Sequence, residues 1–211
     1  MDIVLMGAPG AGKGTQAERL EQTLHYTHIS TGDVLRKEIA SGSELGKKVS
    51  AIISKGDLIS DELMLSILKQ VVSTAKGDII FDGFPRTVVQ AEMLDKMLAE
   101  LGRKLGKVIE IALPDEVVVA RLSARKQCKL PSGETKQIGP NFSLEDCAAQ
   151  GGEVFTRKDD MPQSIAHRLS VYHKQTEPVM DFYKKAGRFV AVKGDQTPDQ
   201  VLADLLAVLK A

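Results

Sequence analysis

The chain has 211 residues, 43% hydrophobic and 27% charged, a balance that supports one sizeable core with small insertions and excludes a disordered polymer. Its 28 basic and 28 acidic residues cancel, which excludes a global field that recruits nucleic acid and leaves any polyanion site to individual arginines. No apolar run approaches the roughly 20 residues of a membrane span, no charged leader precedes the first strand, and two cysteines are too few for a disulfide framework, so a cytoplasmic protein of a reducing compartment, monomeric by default, is expected.

In chain order, the apolar run Ile3-Val4-Leu5-Met6 predicts a strand, followed by Gly7-Ala8-Pro9-Gly10-Ala11-Gly12-Lys13-Gly14-Thr15 and a helix from Gly12 to Leu24. Glycines at these spacings let backbone N–H groups converge on a phosphate at a helix N-terminus, with Lys13 reaching the outer phosphates. The bland alternative is a glycine-rich turn, but the strand and helix that a phosphate loop requires are both present. The generic loop places Ser or Thr directly after the lysine; here Gly14 fills that position and Thr15 follows.

Further strands are predicted at His28 to Ser30, Ile79 to Asp82, Val108 to Leu113 and Phe189 to Val192. Ser60 caps a helix carrying Leu63, Ile67, Leu68 and Val71 at helical spacing, and more helices fit Thr87 to Leu101, Pro114 to Arg125, Pro162 to His173 and Pro198 to Leu209. Strands alternating with helices imply an α/β fold with a parallel sheet covered on both faces and ligands at the carboxyl ends of the strands. Two segments break the rhythm. Thr31 to Ile59 reads as helical, punctuated by Ser41-Gly42-Ser43 and Lys55-Gly56-Asp57. Lys126 to Asp160 is polar, lacks helical periodicity and is too long for an ordinary loop, so a small inserted lid is expected, with disorder as the alternative.

Asp82 ends its predicted strand beside Gly83-Phe84-Pro85-Arg86, where a carboxylate serves either Mg²⁺ through its water shell or a helix N-cap. Arg86 suits a bidentate phosphate clamp, and Arg36, Arg121, Arg125, Arg157 and Arg168 stand at element ends around the expected cleft. Each alone reads as a solvated surface residue; together they suit phosphoryl transfer between two nucleotides, where neutralising charge is most of the catalysis.

The loop Gly7 to Thr15, the run Thr31-Gly32-Asp33-Val34-Leu35-Arg36, the run Asp82-Gly83-Phe84-Pro85-Arg86-Thr87 and the run Thr156-Arg157-Lys158-Asp159-Asp160 resemble, in order and over nearly the whole chain, the signatures of the adenylate kinases in their long-lid form. That resemblance implies a three-layer P-loop fold with a five-stranded parallel sheet: a core of residues 1–29, 60–120 and 161–211, a monophosphate-binding insert at 30–59 and a lid at 121–160. It implies reversible, Mg²⁺-dependent transfer from ATP to AMP giving two ADP. Lys13, Arg36, Arg86, Arg125, Arg157 and Arg168 would act in catalysis. Gly10, Ala11, Gly12, Lys13, Gly14, Thr15, Arg121, Arg125, Thr135 and Gln196 would hold ATP. Thr31, Gly32, Arg36, Asp57, Leu58, Ile59, Gly83, Phe84, Pro85, Arg86, Gln90, Arg157 and Arg168 would hold AMP, and Asp82 would meet Mg²⁺ through water. Thr31 favours AMP, since the related pyrimidine monophosphate kinases tend to carry alanine there.

Long lids in this family often hold a structural zinc through a Cys-x-x-Cys pair and a second Cys-x-x-Cys or Cys-x-x-Asp pair, but here Cys128 is followed three residues later by Pro131 and Cys147 by Gln150, so no structural zinc is expected. Two small buried cysteines in a lid held by packing and hydrogen bonds is the expectation, ahead of zinc completed by another side chain or a Cys128 to Cys147 disulfide. Glu134-Thr135-Lys136-Gln137 replaces the family's aromatic-His pair, leaving lid contacts to the ATP base open. The rival functions are a kinase of UMP or CMP and a non-catalytic P-loop switch; the switch gives no reason for arginines around a second pocket.

Overall fold

The computed structural model describes residues 1–54, 57–139 and 142–210. Its centre is a five-stranded parallel sheet in the order β2 (Thr27–Ser30), β3 (Ile79–Asp82), β1 (Asp2–Met6), β4 (Leu105–Ala112) and β8 (Phe189–Lys193). All five predicted strands form; β1 and β3, covered on both faces, are buried along their whole length, as a near-continuous apolar run predicts. In β1, Val4 and Met6 face one core with Phe81, Leu68, Leu94, Ile165 and Tyr183, while Ile3 and Leu5 face the other with Ala17, Leu20, Val201 and Leu205. The helices α1 (Lys13–Leu24) and α10 (Pro198–Lys210) cover that second face; α4 (Asp61–Thr74), α5 (Val88–Glu100), α8 (Pro162–Val171) and α9 (Glu177–Lys185) cover the first. Parallel pairing aligns Leu5 and Ser30 with Asp82, and Ala112 with Lys193, so the carboxyl ends of the strands form one edge above which a ligand sits.

Two inserts leave this sheet. Thr31 to Ile53 forms α2 (Thr31–Ala40) and α3 (Glu44–Ile53), capped by Ser30 and Ser43. The Lys55-Gly56 part of the second predicted break lies outside the described residues. After α6 (Asp115–Ala124) comes an antiparallel sheet, β6 (Thr135–Gln137), β5 (Gln127–Lys129) and β7 (Glu153–Phe155), closed by α7 (Leu144–Ala149). The segment that lacks helical periodicity in the sequence therefore contains a helix. At six residues α7 is too short for periodicity, and its one signal is the capping box between Ser143 and Asp146. The helix predicted to end at His173 also continues, through a π-helical turn at Tyr172–Thr176, into α9, whose Pro178 sits in the first turn where no N–H is needed.

The second insert has its own small cluster of Cys128, Leu130, Phe142 and Cys147 with Ile138. Cys128 and Cys147 are fully buried as expected, but the expectation of two unlinked residues is corrected: they form a disulfide, with Cα atoms 5.9 Å apart. Four buried apolar residues are a meagre core, so a covalent link between β5 and α7 compensates for missing apolar area, as in other small units. Neither thiol is left as a free thiolate for a metal. Gly152 hydrogen-bonds Cys147 O through its N–H at 2.8 Å, and any β-carbon there would overlap Cys128 Sγ. Cys147→Ser is expected to destabilise the lid by about 3 kcal/mol, the loop-closure value for a bridge spanning 19 residues. Hydrogen exchange should then accelerate in β5 to β7 while β1, β3 and β4 stay protected; unchanged lid exchange would show that the bridge does not hold it.

Candidate active site

The loop after β1 is built for an anion. Gly12 takes φ 94° and leads into α1 with no side-chain cap, so the first-turn N–H groups of α1 stay available. Ala11 N–H to Ala8 O at 3.1 Å closes the loop beneath them. Lys13 Nζ donates to Gly7 O at 2.7 Å and Ala8 O at 2.9 Å, which holds the ammonium across the loop rather than out in solvent. Burial lowers its pKa to about 8; the Asp82 carboxylate opposes this, and Arg86, Arg168 and Arg125 add to it. A β-carbon at Gly14 would stand 3.5 Å from Asp82 Oδ2, so the glycine that displaces the usual hydroxyl brings the helix backbone against that carboxylate. Asp82 is no N-cap: Thr87 caps α5, accepting from Gln90 N–H.

On the other side of the loop, Arg86 is fixed from several directions. Its Nε donates to Gly83 O at 2.7 Å, its N–H donates to Gln90 Oε1 at 2.7 Å, and Thr176 Oγ1 of the π-helical turn donates to its carbonyl at 3.0 Å. Gln90 is oriented in turn by Asp61, accepting from Nε2 at 2.6 Å. Burial lowers the pKa of the Arg86 guanidinium. Arg36 folds onto Asp33 one turn back, over Gly32. Thr31 is buried and its hydroxyl donates to Asp82 O at 3.2 Å and Gly83 O at 3.0 Å, tying α2 to the end of β3.

The lid joins the core through three arginines and two aspartates. Arg125 grips Asp160 in a bidentate pair at 2.7 and 2.5 Å, Arg157 grips Asp159 at 2.8 and 2.5 Å, and Arg168 Nη1 reaches Asp159 O at 2.9 Å and Asp160 Oδ1 at 3.1 Å. Burial pushes the Asp159 carboxyl up, but Arg157, Arg168 and Arg125 more than offset it and leave its pKa below the ordinary value. Burial lowers Arg168 to about 10.

These groups surround one cleft of about 770 Å³, within the range of about 300–1,000 Å³ usual for small-molecule sites. Of the residues predicted for the site, Gly10 to Thr15, Gly32, Arg36, Asp57 to Ile59, Asp82 to Arg86, Gln90, Arg121, Arg125, Thr135, Arg157, Arg168 and Gln196 all line it. Thr31 does not, because its side chain turns into the backbone of Asp82 and Gly83. The Gln196 side chain is drawn to Lys193 O and Asp204, and Arg121 donates to Gly194 O at 3.0 Å. Sequence reasoning gives Asp159 and Asp160 no role and passes over His28, which lies behind Asp82; the acidic pair directly after Arg157 is the available signal for the first two.

The adenylate kinase family model matches residues 5–188. The chain is 42% identical to the adenylate kinase of Caldicellulosiruptor bescii, over 99% of each chain, and 42% identical to that of Methanosarcina acetivorans, over 99% of this chain and 98% of the other. It is also 42% identical to the adenylate kinase of Desulforamulus reducens, over the full length of both. With the phosphate loop, the second basic pocket and the arginine-rich lid in one cleft, these likenesses place the chain in the adenylate kinase family.

Proposed function

We infer that the chain transfers the γ-phosphoryl group of ATP reversibly to AMP, giving two ADP, and that the cleft lining performs the roles below. The observation that carries those roles is a pair of half-buried cations at the cleft: among the described residues, Lys13 and Arg86 donate to backbone carbonyls and form no ion pair with a carboxylate. A partly desolvated cation with no directly paired carboxylate is costly, and a phosphate is a partner that relieves it. Lys13 and the loop from Gly10 to Thr15 take the ATP phosphates; Arg86, with Arg36 freed from Asp33, takes the AMP phosphate. Arg125, Arg157 and Arg168 then neutralise charge spreading over the transferring group, and closure of the lid at 121–160 and the insert at 30–59 over the core excludes water.

Asp82 fits Mg²⁺. It offers one carboxylate at the cleft edge, beside the phosphate loop, and no three-ligand cluster of His, Cys, Asp or Glu accompanies it among the described residues; that donor set suits a cation that keeps its own waters. When bound with ATP, Mg²⁺ adds positive charge to the phosphate oxygens. In the cytoplasm, where both nucleotides are found, full burial of Cys128 and Cys147 shields their bond from reductants.

A panel of AMP, UMP and CMP assayed with ATP tests the acceptor. The expected result is ADP formation with AMP, and kcat/KM at least about tenfold lower with UMP and CMP, the discrimination that about 1.4 kcal/mol of differential binding provides. Equal turnover with UMP or CMP would reassign the acceptor, and no turnover with any would favour a nucleotide switch.

A further inference from the structure

Asp82 has no hydrogen bond to its carboxylate from any described residue, and the last torsion of an aspartate is broad and roughly two-fold. Something must nonetheless set which way its oxygens face, because the group stands between β3 and the first turn of α1 with only 12% of its side chain exposed. Among the described residues, the cationic side chain within 4 Å of its oxygens is His28 on the edge strand β2. The parallel register pairs His28 with Ile80 and Ser30 with Asp82, so residues 28 and 82 stand on one face of neighbouring strands, one step apart. His28 Nε2 lies 3.4 Å from Asp82 Oδ2, and the imidazole is 10% exposed. The two groups are in ion-pair contact at that distance, and no other described side chain pairs with Nε2. Asp82 Oδ2 thus lies 3.4 Å from the imidazole and close to the first turn of α1, where a β-carbon on Gly14 would stand 3.5 Å away.

We propose that His28 is a positioning residue for the metal-binding carboxylate: its imidazole, packed 3.4 Å from Asp82 Oδ2, restricts the carboxylate's rotation so that the group presents a fixed geometry to the hydrated cation at the phosphate loop. This rests on the reading of Asp82 as the Mg²⁺ residue. A carboxylate that must search its own torsion binds the cation's water shell more weakly, whereas nucleotide contacts made by Lys13 and Arg86 are untouched.

The test compares His28→Leu, which fills the space without a polar nitrogen, with His28→Gln, which restores a donor, and with Asp82→Asn. Two quantities are read well below each variant's Tm: the free Mg²⁺ concentration for half-maximal phosphotransfer, and the affinity of the enzyme–ATP complex for Mn²⁺, titrated by electron paramagnetic resonance. His28→Leu is expected to weaken both at least fivefold with the KM for AMP within twofold of wild type, and His28→Gln to return both to within twofold. A His28→Leu enzyme with unchanged Mg²⁺ and Mn²⁺ dependence, beside an Asp82→Asn enzyme that loses both, would overturn the positioning role and leave the metal reading standing. A kcat lowered equally at all Mg²⁺ concentrations with a reduced Tm, or a glutamine that restores nothing, would overturn it in the same way. If Asp82→Asn changes neither quantity, the metal reading fails and the proposal fails with it.

Discussion

Lys13→Met is expected to lower kcat by about 10²–10³-fold, the usual loss when one preorganised donor to developing charge is removed, while the fold stays intact. The structure separates the two effects. In the nucleotide-free protein the ammonium rests on the carbonyls of Gly7 and Ala8 and pairs with no carboxylate among the described residues, so its removal breaks no ion pair. Its charge is a burden on the folded state. The folded pKa of about 8 lies below the ordinary lysine value of 10.5, so between these values the unfolded chain binds the extra proton and stability rises with pH. Below pH 8 the cost of burying the charge is present in full, and methionine relieves it. The Tm of Lys13→Met at pH 7 should therefore be no lower than that of wild type. The same pKa predicts that ATP, by favouring the charged lysine, draws a proton onto the wild-type enzyme above pH 8, visible by calorimetry in buffers of different ionisation enthalpy, and that the methionine variant takes up none. Unchanged turnover in a coupled ADP assay would remove Lys13 from the chemistry.

The legible parts of the molecule are those whose signal is local in the chain. Ile3 to Met6 followed by Gly7 to Thr15 states both a buried strand and the anion loop it feeds, because strand, turn and helix are consecutive. Asp82 and Arg86 are legible as a pair because both follow one strand. Features requiring two distant segments are not. The disulfide depends on β5 and α7 meeting across 19 residues of polar chain, and no spacing rule distinguishes that from two separate buried cysteines. The anchoring of Thr31 depends on α2 starting beside the end of β3, so the hydroxyl expected at the cleft is spent on backbone carbonyls 51 and 52 residues away. His28 is hidden for the same reason, since only the β2–β3 register brings it behind Asp82. The helix α9 escapes a sequence scan because Pro178 reads there as a stop and is a start in the fold.

Asp160→Ala is expected to be the most destabilising change at the cleft, by roughly 3–5 kcal/mol, because it deletes one partner of a buried ion network and leaves the others uncompensated. The Asp160 side chain is fully buried, accepts both hydrogen bonds of Arg125 and meets Arg168 at 3.1 Å. For a chain of this size each 1 kcal/mol shifts Tm by roughly 2–4 °C, so the nucleotide-free variant should melt about 6–20 °C below wild type. Nucleotide distinguishes a structural brace from a working part of the site. Arg125 and Arg168 are two of the arginines assigned to the phosphoryl group, and in the free enzyme the two aspartates supply the negative charge that phosphate later brings. Removing Asp160 leaves both guanidiniums short of an anion, so ATP phosphates should recover part of what was lost. The rise in Tm on adding saturating ATP should then be larger in Asp160→Ala than in wild type, since ligand stabilisation adds whatever it contributes to the folded state alone. An equal rise in both proteins would mean that Arg125 and Arg168 take no part in binding nucleotide, and that charge on the transferring group is neutralised by Lys13, Arg86 and Arg157 without them.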